Sequence, residues 1–281
     1  MTETTETTEA TDTRPAPIVG LLNQKGGVGK TTLTVQIAGA LNAHGYDVLA
    51  VDLAPEGALA SILGFDDVYS DLDQEGTLHE LLLNPTEHAP QAHELVEDAG
   101  EFDLLPAHER MVDHTASALD GEPRARERLA MALEDLRTEY DVILVDNQPD
   151  INVLTDNALR NSDGILIPTY AEALSVQGFD RLQKQIAAIE EYYEPVNILG
   201  IVVNRIEHNN QAEAMVAQLQ ENFGEHLPVW EIRKRVALQR SLAQHQASLF
   251  GVDSESDMLP VLEAIVAEIE ANLDVGGDGD A

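Results

Sequence analysis

The feature that most constrains the fold is a glycine-rich stretch near the amino terminus, NQKGGVGKTT over residues 23–32. An apolar run, residues 18–22, precedes it, and an apolar-periodic segment, residues 32–41, follows it. The order strand, glycine-rich loop, helix is the one that a phosphate-binding loop requires. Because glycine has no Cβ, such a loop can turn back and direct several backbone N–H groups at one centre. The sequence therefore predicts a nucleotide site here; the alternative is a glycine-rich turn that binds nothing.

The residues of this phosphate loop (residues 23–32) have predictable roles. Lys30 is expected to place its charge on the outer phosphates, at the positive end of the dipole of the following helix. The Thr31 hydroxyl is the expected Mg²⁺ ligand. The general pattern G-x-x-x-x-G-K-[ST] is not strictly met, because Gln24 stands six residues before Lys30. The predicted nucleotide-binding residues of the loop are Lys25, Gly26, Gly27, Val28, Gly29, Lys30, Thr31 and Thr32.

Two aspartates follow buried strands further along the chain. Asp52 comes directly after the apolar strand predicted at residues 47–51. Asp146 ends the apolar run of residues 140–145, which is the Walker B pattern of a strand that delivers a carboxylate to Mg²⁺. In open parallel sheets, ligands bind at the carboxyl ends of the strands. These side chains and the phosphate loop predict that a nucleotide and Mg²⁺ bind here, and the family resemblance given below implies that the nucleotide is ATP.

Composition narrows the functional classes. The chain has no cysteine, which excludes disulfides and thiolate metal centres, iron–sulfur clusters included. It carries 51 acidic and 16 basic residues, a formal net charge of −35, which should repel nucleic acid in dilute salt. Acid-rich, lysine-poor surfaces resemble those of halophilic archaea, whose molar salt screens self-repulsion; the alternative is an ordinary acidic protein. No run of eighteen apolar residues occurs, so we expect a cytoplasmic protein.

The alternation of strands and helices predicts one α/β domain with a mainly parallel sheet and helices on both faces. The predicted boundaries are a disordered Thr/Glu-rich arm over residues 1–17, the domain over 18–273, and an acidic Gly-rich tail over 274–281. Residues 125–138 have helical periodicity, with Leu129, Leu133 and Leu136 on one face. The closing helix, residues 258–273, has an acidic polar face, so membrane attachment is not expected.

The phosphate loop resembles the deviant Walker A loop of the ParA/Soj/MinD ATPases, which segregate chromosomes and plasmids or position cellular machinery. The resemblance implies an ATP-dependent homodimer in which Lys25 reaches across to the partner's nucleotide, with Lys25, Lys30 and Asp52 as catalytic residues. It places Asp52 near the Mg²⁺, beside Thr31 and Asp146. It also implies that Asn204 meets the adenine, although an asparagine starting a turn is the alternative.

The same resemblance gives a function to a basic cluster in this acidic chain. Arg233, Lys234, Arg235 and Arg240 are four of its sixteen basic residues. Relatives use basic residues of this region to bind DNA without sequence preference, so phosphate-backbone contact is expected. The alternatives are a structural ion-pair network or dimer contacts. A ParB-like or other partner protein would stimulate release, and the protein would be associated with the nucleoid.

One departure from the family pattern concerns catalysis. The segment VDLAPEG, residues 51–57, resembles the family's D-x-D-P-Q-G, but Ala54 replaces the second aspartate, which supports attack of water on the γ-phosphate. Alanine cannot accept a proton or orient water, so hydrolysis is expected to be slow, absent or rescued by another group such as Glu56. Further alternatives are an ATP-bound switch that scarcely hydrolyses and a MinD-like positioning ATPase. An amidotransferase or synthetase with the same loop is also an alternative, but the sequence offers no second substrate site.

Overall fold

The architecture is a single twisted sheet between two layers of helices. A computed structural model describes residues 14–112, 114–171, 175–234, 238, 241–252 and 256–275. Within these residues the sheet has eight strands in the order β3-β4-β2-β5-β1-β6-β7-β8. The strands are β1 Ile18–Leu21, β2 Val48–Asp52, β3 Glu97–Asp98, β4 Asp103–Leu105, β5 Val142–Asp146, β6 Gly164–Tyr170, β7 Ile198–Ile206 and β8 Val229–Arg233.

All neighbouring strands run parallel except β3, which pairs antiparallel with β4 at one edge. The predicted α/β class with a mainly parallel sheet is confirmed. The described helices are α1 Lys30–Ala43, α2 Ala58–Leu63, α3 Asp66–Ser70, α4 Leu78–Leu83, α5 Pro85–His88, α6 Thr115–Leu119, α7 Arg128–Ala132, α8 Val153–Asn161, α9 Ser175–Glu190, α10 Asn210–Phe223 and α11 Leu259–Asn272.

The central strands are buried on both faces, and alternate residues face opposite layers. In β5, Ile143 and Val145 join the core that includes α8, α9 and α10, whereas Val142 and Leu144 join the core formed with α1, α2 and α11. This two-residue alternation is the geometry of a strand, and burial on both faces explains why β1, β2 and β5 read as continuous apolar runs. Because β1, β2 and β5 run parallel, their carboxyl ends lie at the same edge of the sheet.

The prediction of helical structure over residues 125–138 is wrong in one respect, because these residues do not form one continuous helix. Its residues instead form a 3₁₀ turn, the short helix α7 and a second 3₁₀ turn. The buried Asn157 of α8 explains the break, because its amide donates to the Ala125 carbonyl and its oxygen accepts from the Leu129 N–H. The predicted apolar face is nevertheless buried, with Leu129, Leu133 and Leu136 all in the core.

Candidate nucleotide site

The phosphate loop lies between β1 and α1. Gly27 and Gly29 have φ values of 76° and 92°, which residues with a Cβ rarely adopt. Gly29 is the N-cap of α1, and no side chain caps this end of the helix. The first turn of a fourteen-residue helix thus presents its N–H groups and dipole toward the loop.

Asn23 holds the loop in this shape with three hydrogen bonds. Its Nδ2 donates to the Pro168 carbonyl at 2.7 Å, and its Oδ1 accepts from the Lys25 N–H at 2.9 Å. The Asn23 carbonyl accepts from Lys30 Nζ at 3.2 Å, so the lysine folds back under the loop. Sequence reasoning did not single out Asn23, although its place at the end of β1 was the available signal.

Lys30 is an electrostatic centre of the site. It is almost fully buried, and this burial lowers the pKa of its ammonium. The carboxylates of Asp146, Glu56 and Asp150 oppose the shift. Glu56 and Asp150 are both exposed, so both are acidic groups near the lysine on the solvent side.

Asp52 and Asp146 come together as partners in register on adjacent strands, β2 and β5. Both side chains are fully buried. Asp52 Oδ2 accepts hydrogen bonds from the Leu59 and Ala60 N–H groups at 3.0 Å, which fixes it against the start of α2. Among the described residues, Asp52 Oδ1 and both oxygens of Asp146 have no well-formed hydrogen bond. Three buried carboxylate oxygens are therefore available to a cation.

The pKa values of both aspartates are raised, and burial is the main cause. Burial raises the pKa of Asp52 well above its usual range, and the Asp146 charge adds to the rise. Burial also raises the pKa of Asp146 to about 6, while the neighbouring Thr31 hydroxyl and Lys30 ammonium limit the increase. Ionised carboxylates in a dry site require a positive partner, and a hard divalent cation with oxygen ligands fits this donor set.

Ala54 lies two residues beyond β2, and only 5% of its surface is exposed. Its carbonyl accepts the Gly57 N–H at 2.9 Å, so the backbone forms a tight turn ahead of α2. The side chain at this position is a methyl group, which supplies neither a proton acceptor nor a ligand. The next acidic residue along the chain is Glu56, whose side chain is exposed.

Asn204 lies directly beneath the phosphate loop. Its Nδ2 donates to the Val28 carbonyl at 3.2 Å, and a Cβ on Gly29 would approach that nitrogen to 2.2 Å. Only 1% of the Asn204 surface is exposed, so the residue supports the loop from below in this state. Its contact with the adenine remains a prediction.

Tyr170 and Arg205 form a second contact with the loop that sequence reasoning missed. The Tyr170 hydroxyl donates to the Gly27 carbonyl, and Arg205 Nη1 donates to the same hydroxyl at 2.9 Å. The Lys25 ammonium lies 5.6 Å from the centre of the Tyr170 ring, within cation–π range. A cleft of about 250 Å³ opens beside them at the carboxyl ends of β6 and β7, lined also by Glu207, Asn209 and Gln211.

The basic cluster is only partly within the described residues. Arg233 Nη1 lies 3.0 Å from His208 Nδ1, and Lys234 forms an ion pair with Glu207 at 3.3 Å. Arg235 and Arg240 lie outside the described residues. The DNA role of the four residues remains a prediction. Arg126, which is not part of this cluster, pairs with Asp156 at 2.8 Å.

A loop of this kind, followed by acidic side chains on the next two strands of the sheet, is the arrangement of the P-loop nucleotide-binding proteins, and this is the class to which the fold and site assign the chain. The AAA_31 family model, described as an AAA domain, matches residues 16–198. The chain belongs to the ParA/Soj/MinD family of P-loop ATPases.

Relatives that are similar over most of this chain include one named member of this family. The chromosome-partitioning ATPase Soj of Thermus thermophilus is 35% identical over 238 residues, which cover 81% of this chain and 87% of Soj. An uncharacterized protein of Mycobacterium tuberculosis (strain CDC 1551 / Oshkosh) is 34% identical over 218 residues; these cover 75% of this chain and 65% of the relative's length.

Solved structures with the same fold include apo McdA from Cyanothece, with a TM-score of 0.77, 18% identity and coverage of 90% of this chain and 99% of McdA. Cobyrinic acid a,c-diamide synthase from Mycobacterium smegmatis, solved with an ATP analogue and magnesium, gives a TM-score of 0.69 at 25% identity. That match covers 82% of this chain and 97% of the synthase. Within the described residues, no helix combines the length and apolar character needed to span a membrane.

Proposed function

We propose that this protein is a ParA-like ATPase that binds ATP·Mg²⁺ at the phosphate loop and partitions DNA as an ATP-dependent homodimer. The observation that carries the proposal is the convergence of three groups: the uncapped start of α1, the buried Lys30, and the three buried oxygens of Asp52 and Asp146 without a well-formed hydrogen bond. Each alone has a structural explanation. Together they form a cradle for a polyphosphate and its cation.

Each group has a defined task in this proposal. The N–H groups of residues 26–32 and the Lys30 ammonium hold the phosphates, and Thr31 with Asp52 and Asp146 would hold the Mg²⁺. The cation would neutralise charge on the transferred phosphoryl group. In this structure Lys30 Nζ donates to the neutral Asn23 carbonyl at 3.2 Å, and a phosphate oxygen would offer the ammonium an acceptor of opposite charge.

Lys25 would act across the dimer. Its present position over the Tyr170 ring keeps its long side chain near the loop, from which it could extend to a facing subunit. The measurement is the molar mass in solution with ATP and Mg²⁺ and without them. We expect an ATP-dependent dimer for the native chain and a monomer for Lys25→Ala, and a native chain that stays monomeric with bound ATP would contradict this role.

Ala54 favours a second candidate, an ATP-held switch that scarcely hydrolyses. The methyl group stands where relatives of this family have the water-supporting aspartate, and Glu56 is exposed. Loss of a group that positions the attacking water typically costs about 10²–10⁴-fold in rate. ATP binding is expected to survive because it depends on the loop and on Asp52 and Asp146.

The experiment is ATP turnover in molar KCl with Mg²⁺, with DNA added or omitted. It compares the native chain with Ala54→Asp, with the uncharged control Ala54→Asn, and with Glu56→Gln. Turnover by the native chain that DNA stimulates supports the partition ATPase, and its loss in Glu56→Gln would identify the rescuing group. Turnover by Ala54→Asp alone supports the switch. A native chain that binds no ATP would refute both.

The proposed DNA contact uses Arg233, Lys234, Arg235 and Arg240, with a ParB-like or other partner that stimulates release and with the nucleoid as the site of action. Binding through phosphate contacts should weaken steeply as salt rises, with a slope of about −0.9 per contact on logarithmic axes. The double variant Arg233→Gln/Lys234→Gln should reduce that slope by about 2. The same preparation tested on anionic vesicles discriminates against a MinD-like positioning ATPase, which would bind the vesicles instead.

A further inference from the structure

A second concave surface, separate from the cleft beside Tyr170 and Arg205, lies between α8 and α9. We call it the α8–α9 groove. It has a volume of about 730 Å³. Ile151 and Tyr192, with 61% and 76% of their surfaces exposed, are two of the four large apolar side chains that stand exposed among the described residues. The lining residues are Arg126, Ile151, Asp156, Arg181, Lys184, Gln185, Ala188, Ile189, Glu191, Tyr192 and Tyr193.

The charge of the groove is opposite to that of the molecule. It contains three cations and two acids, and one of the acids, Asp156, is already paired with Arg126 at 2.8 Å. Arg181 and Lys184 stand one turn apart on α9, both exposed, and no carboxylate among the described residues lies within ion-pair distance of either. In a chain with 51 acids, two cations without such a partner beside exposed apolar side chains form a surface complementary to an acidic amphipathic segment.

The groove is connected to the phosphate loop by a chain of side-chain hydrogen bonds, which we call the relay. Gln24 Nε2 donates to Gln185 Oε1 at 2.7 Å. Gln185 Nε2 donates to Asp156 Oδ1 at 3.0 Å, and Asp156 Oδ2 accepts from Arg126 Nε at 2.8 Å. Gln185 is buried, so it has few alternative partners. Gln24 directly precedes Lys25, and its own Oε1 is buried with no partner among the described residues.

We propose that the α8–α9 groove is a docking site for an acidic, amphipathic segment of a partner protein, and that the relay couples its occupancy to the phosphate loop. Carboxylates of the segment would contact Arg181 and Lys184, and its apolar side chains would cover Ile151 and Tyr192. Any shift of Arg126 or Asp156 on docking changes the hydrogen bonds of Gln185 and, through Gln24, the backbone beside Lys25. Coupling of this kind is reciprocal, so bound ATP alters the affinity for the segment by the same factor.

The docking test uses a displayed library of random peptides, about 15 residues long, which is long enough for four helical turns. The library is selected on the full chain, and the affinity of enriched peptides is measured by fluorescence anisotropy. Acidic amphipathic peptides should be enriched, and Arg181→Gln/Lys184→Gln should bind them about tenfold more weakly. Ile151→Ser/Tyr192→Ser should weaken them at least as much. The control Gln218→Glu/Asn222→Glu on α10 makes the same change in net charge and should bind as the native chain does.

Several results would overturn the docking proposal. Peptides that bind the groove variants as tightly as the native chain would do so, as would enrichment of sequences without acidic residues. Displacement by the chain's own residues 1–13 would assign the groove to an intramolecular segment, and displacement by DNA would assign it to nucleic acid. Concentration-dependent self-association that Ile151→Ser/Tyr192→Ser abolishes would assign it to a second copy.

The relay is tested separately and rests on the proposed nucleotide function. Peptide affinity is measured with and without ATP·Mg²⁺, and a difference of at least about fivefold is expected for the native chain. Gln185→Met keeps the length of the side chain but removes both hydrogen bonds, so the difference should shrink toward one while the peptide still binds. An unchanged difference would overturn the relay. ATP binding, measured directly on both proteins, distinguishes this failure from failure of the nucleotide site itself.

Discussion

At the scale of single residues, the nucleotide site contains two buried carboxylates that few protein groups compensate. Asp52 and Asp146 face each other in register on buried strands, and three of their four oxygens lack a well-formed hydrogen bond among the described residues. Two buried like charges destabilise a protein unless a cation or a proton compensates them. The unliganded protein should therefore be less stable than its core alone would make it, and ATP·Mg²⁺ should recover that stability.

Replacing Asp146 with asparagine should make the unliganded protein more stable and remove its response to Mg²⁺. Burial raises the folded-state pKa of Asp146 from 3.8 to about 6, so the ionised group disfavours folding. The penalty begins as pH rises above 3.8 and is complete above about 6, where it is on the order of 3 kcal/mol. The gain in melting temperature of Asp146→Asn should consequently be larger at pH 7.5 than at pH 5.

The measurement is thermal unfolding of the native and Asp146→Asn proteins at both pH values, without ligand, with ATP alone and with ATP·Mg²⁺. Asp73→Asn, at an exposed position, serves as the control and should change little. ATP at about one hundred times its dissociation constant should add about 3 kcal/mol of stability to the native protein. An Asp146→Asn variant that is less stable without ligand at pH 7.5 would show that the carboxylate is already compensated.

At the scale of secondary-structure elements, buried amides join segments that neither helix periodicity nor propensity connects. Asn157 on α8 is fully buried and bonds to the backbone of the preceding segment at Ala125 and Leu129. Asn161, one turn later, donates to the Arg126 carbonyl at 2.9 Å. This ladder holds the segment that carries Arg126 against α8 and so fixes one wall of the α8–α9 groove.

Removing the hydrogen bonds of Asn157 should lower the free energy of unfolding. Asn157→Ala leaves the buried Leu129 N–H and the half-buried Ala125 carbonyl without their side-chain partner, and a buried group left unsatisfied costs about 1–3 kcal/mol. We expect a loss of about 2–5 kcal/mol in the free energy of unfolding, measured by urea denaturation. The exposed helical Asn222→Ala is the matched control and should be neutral or slightly stabilising, because alanine has the higher helix propensity. Equal effects of the two substitutions would refute the bracing role of Asn157.

The sequence was sufficient where local pattern decides the structure. Strands that read as apolar runs ended at Asp52 and Asp146, and parallel pairing necessarily brings such ends to one edge of a sheet. The sequence was insufficient where hydrogen bonds between residues far apart in the chain determine the local structure. Gln24 and Gln185 are 161 positions apart, and nothing in the spacing of either predicts their hydrogen bond. The break at residues 125–138 has the same origin, since Asn157 competes for backbone groups that periodicity assigns to one helix.

At the scale of the whole molecule, charge dominates. The net charge is −35, and among the described residues the carboxylates of exposed acids such as Glu213 and Glu221 on α10 have no hydrogen bond or ion pair. Self-repulsion of this kind acts over a Debye length of about 10 Å at 0.1 M salt but only about 3 Å at 1 M. Stability, and any approach of DNA to the basic cluster, should therefore depend on salt.

Raising KCl from about 0.1 M to about 1 M should increase the melting temperature by roughly 5 °C or more through screening. Screening can be separated from general salt effects on apolar surface with the variant Glu213→Gln/Glu221→Gln/Glu225→Gln/Glu263→Gln, which removes four exposed charges from two helices and a loop. Because repulsion is strongest in dilute salt, the variant should melt higher than the native chain at 0.1 M, and the two should converge at 1 M. Parallel curves at a constant offset would show instead that salt acts on burial of apolar surface, and that the acidic surface is not what limits the fold in dilute solution.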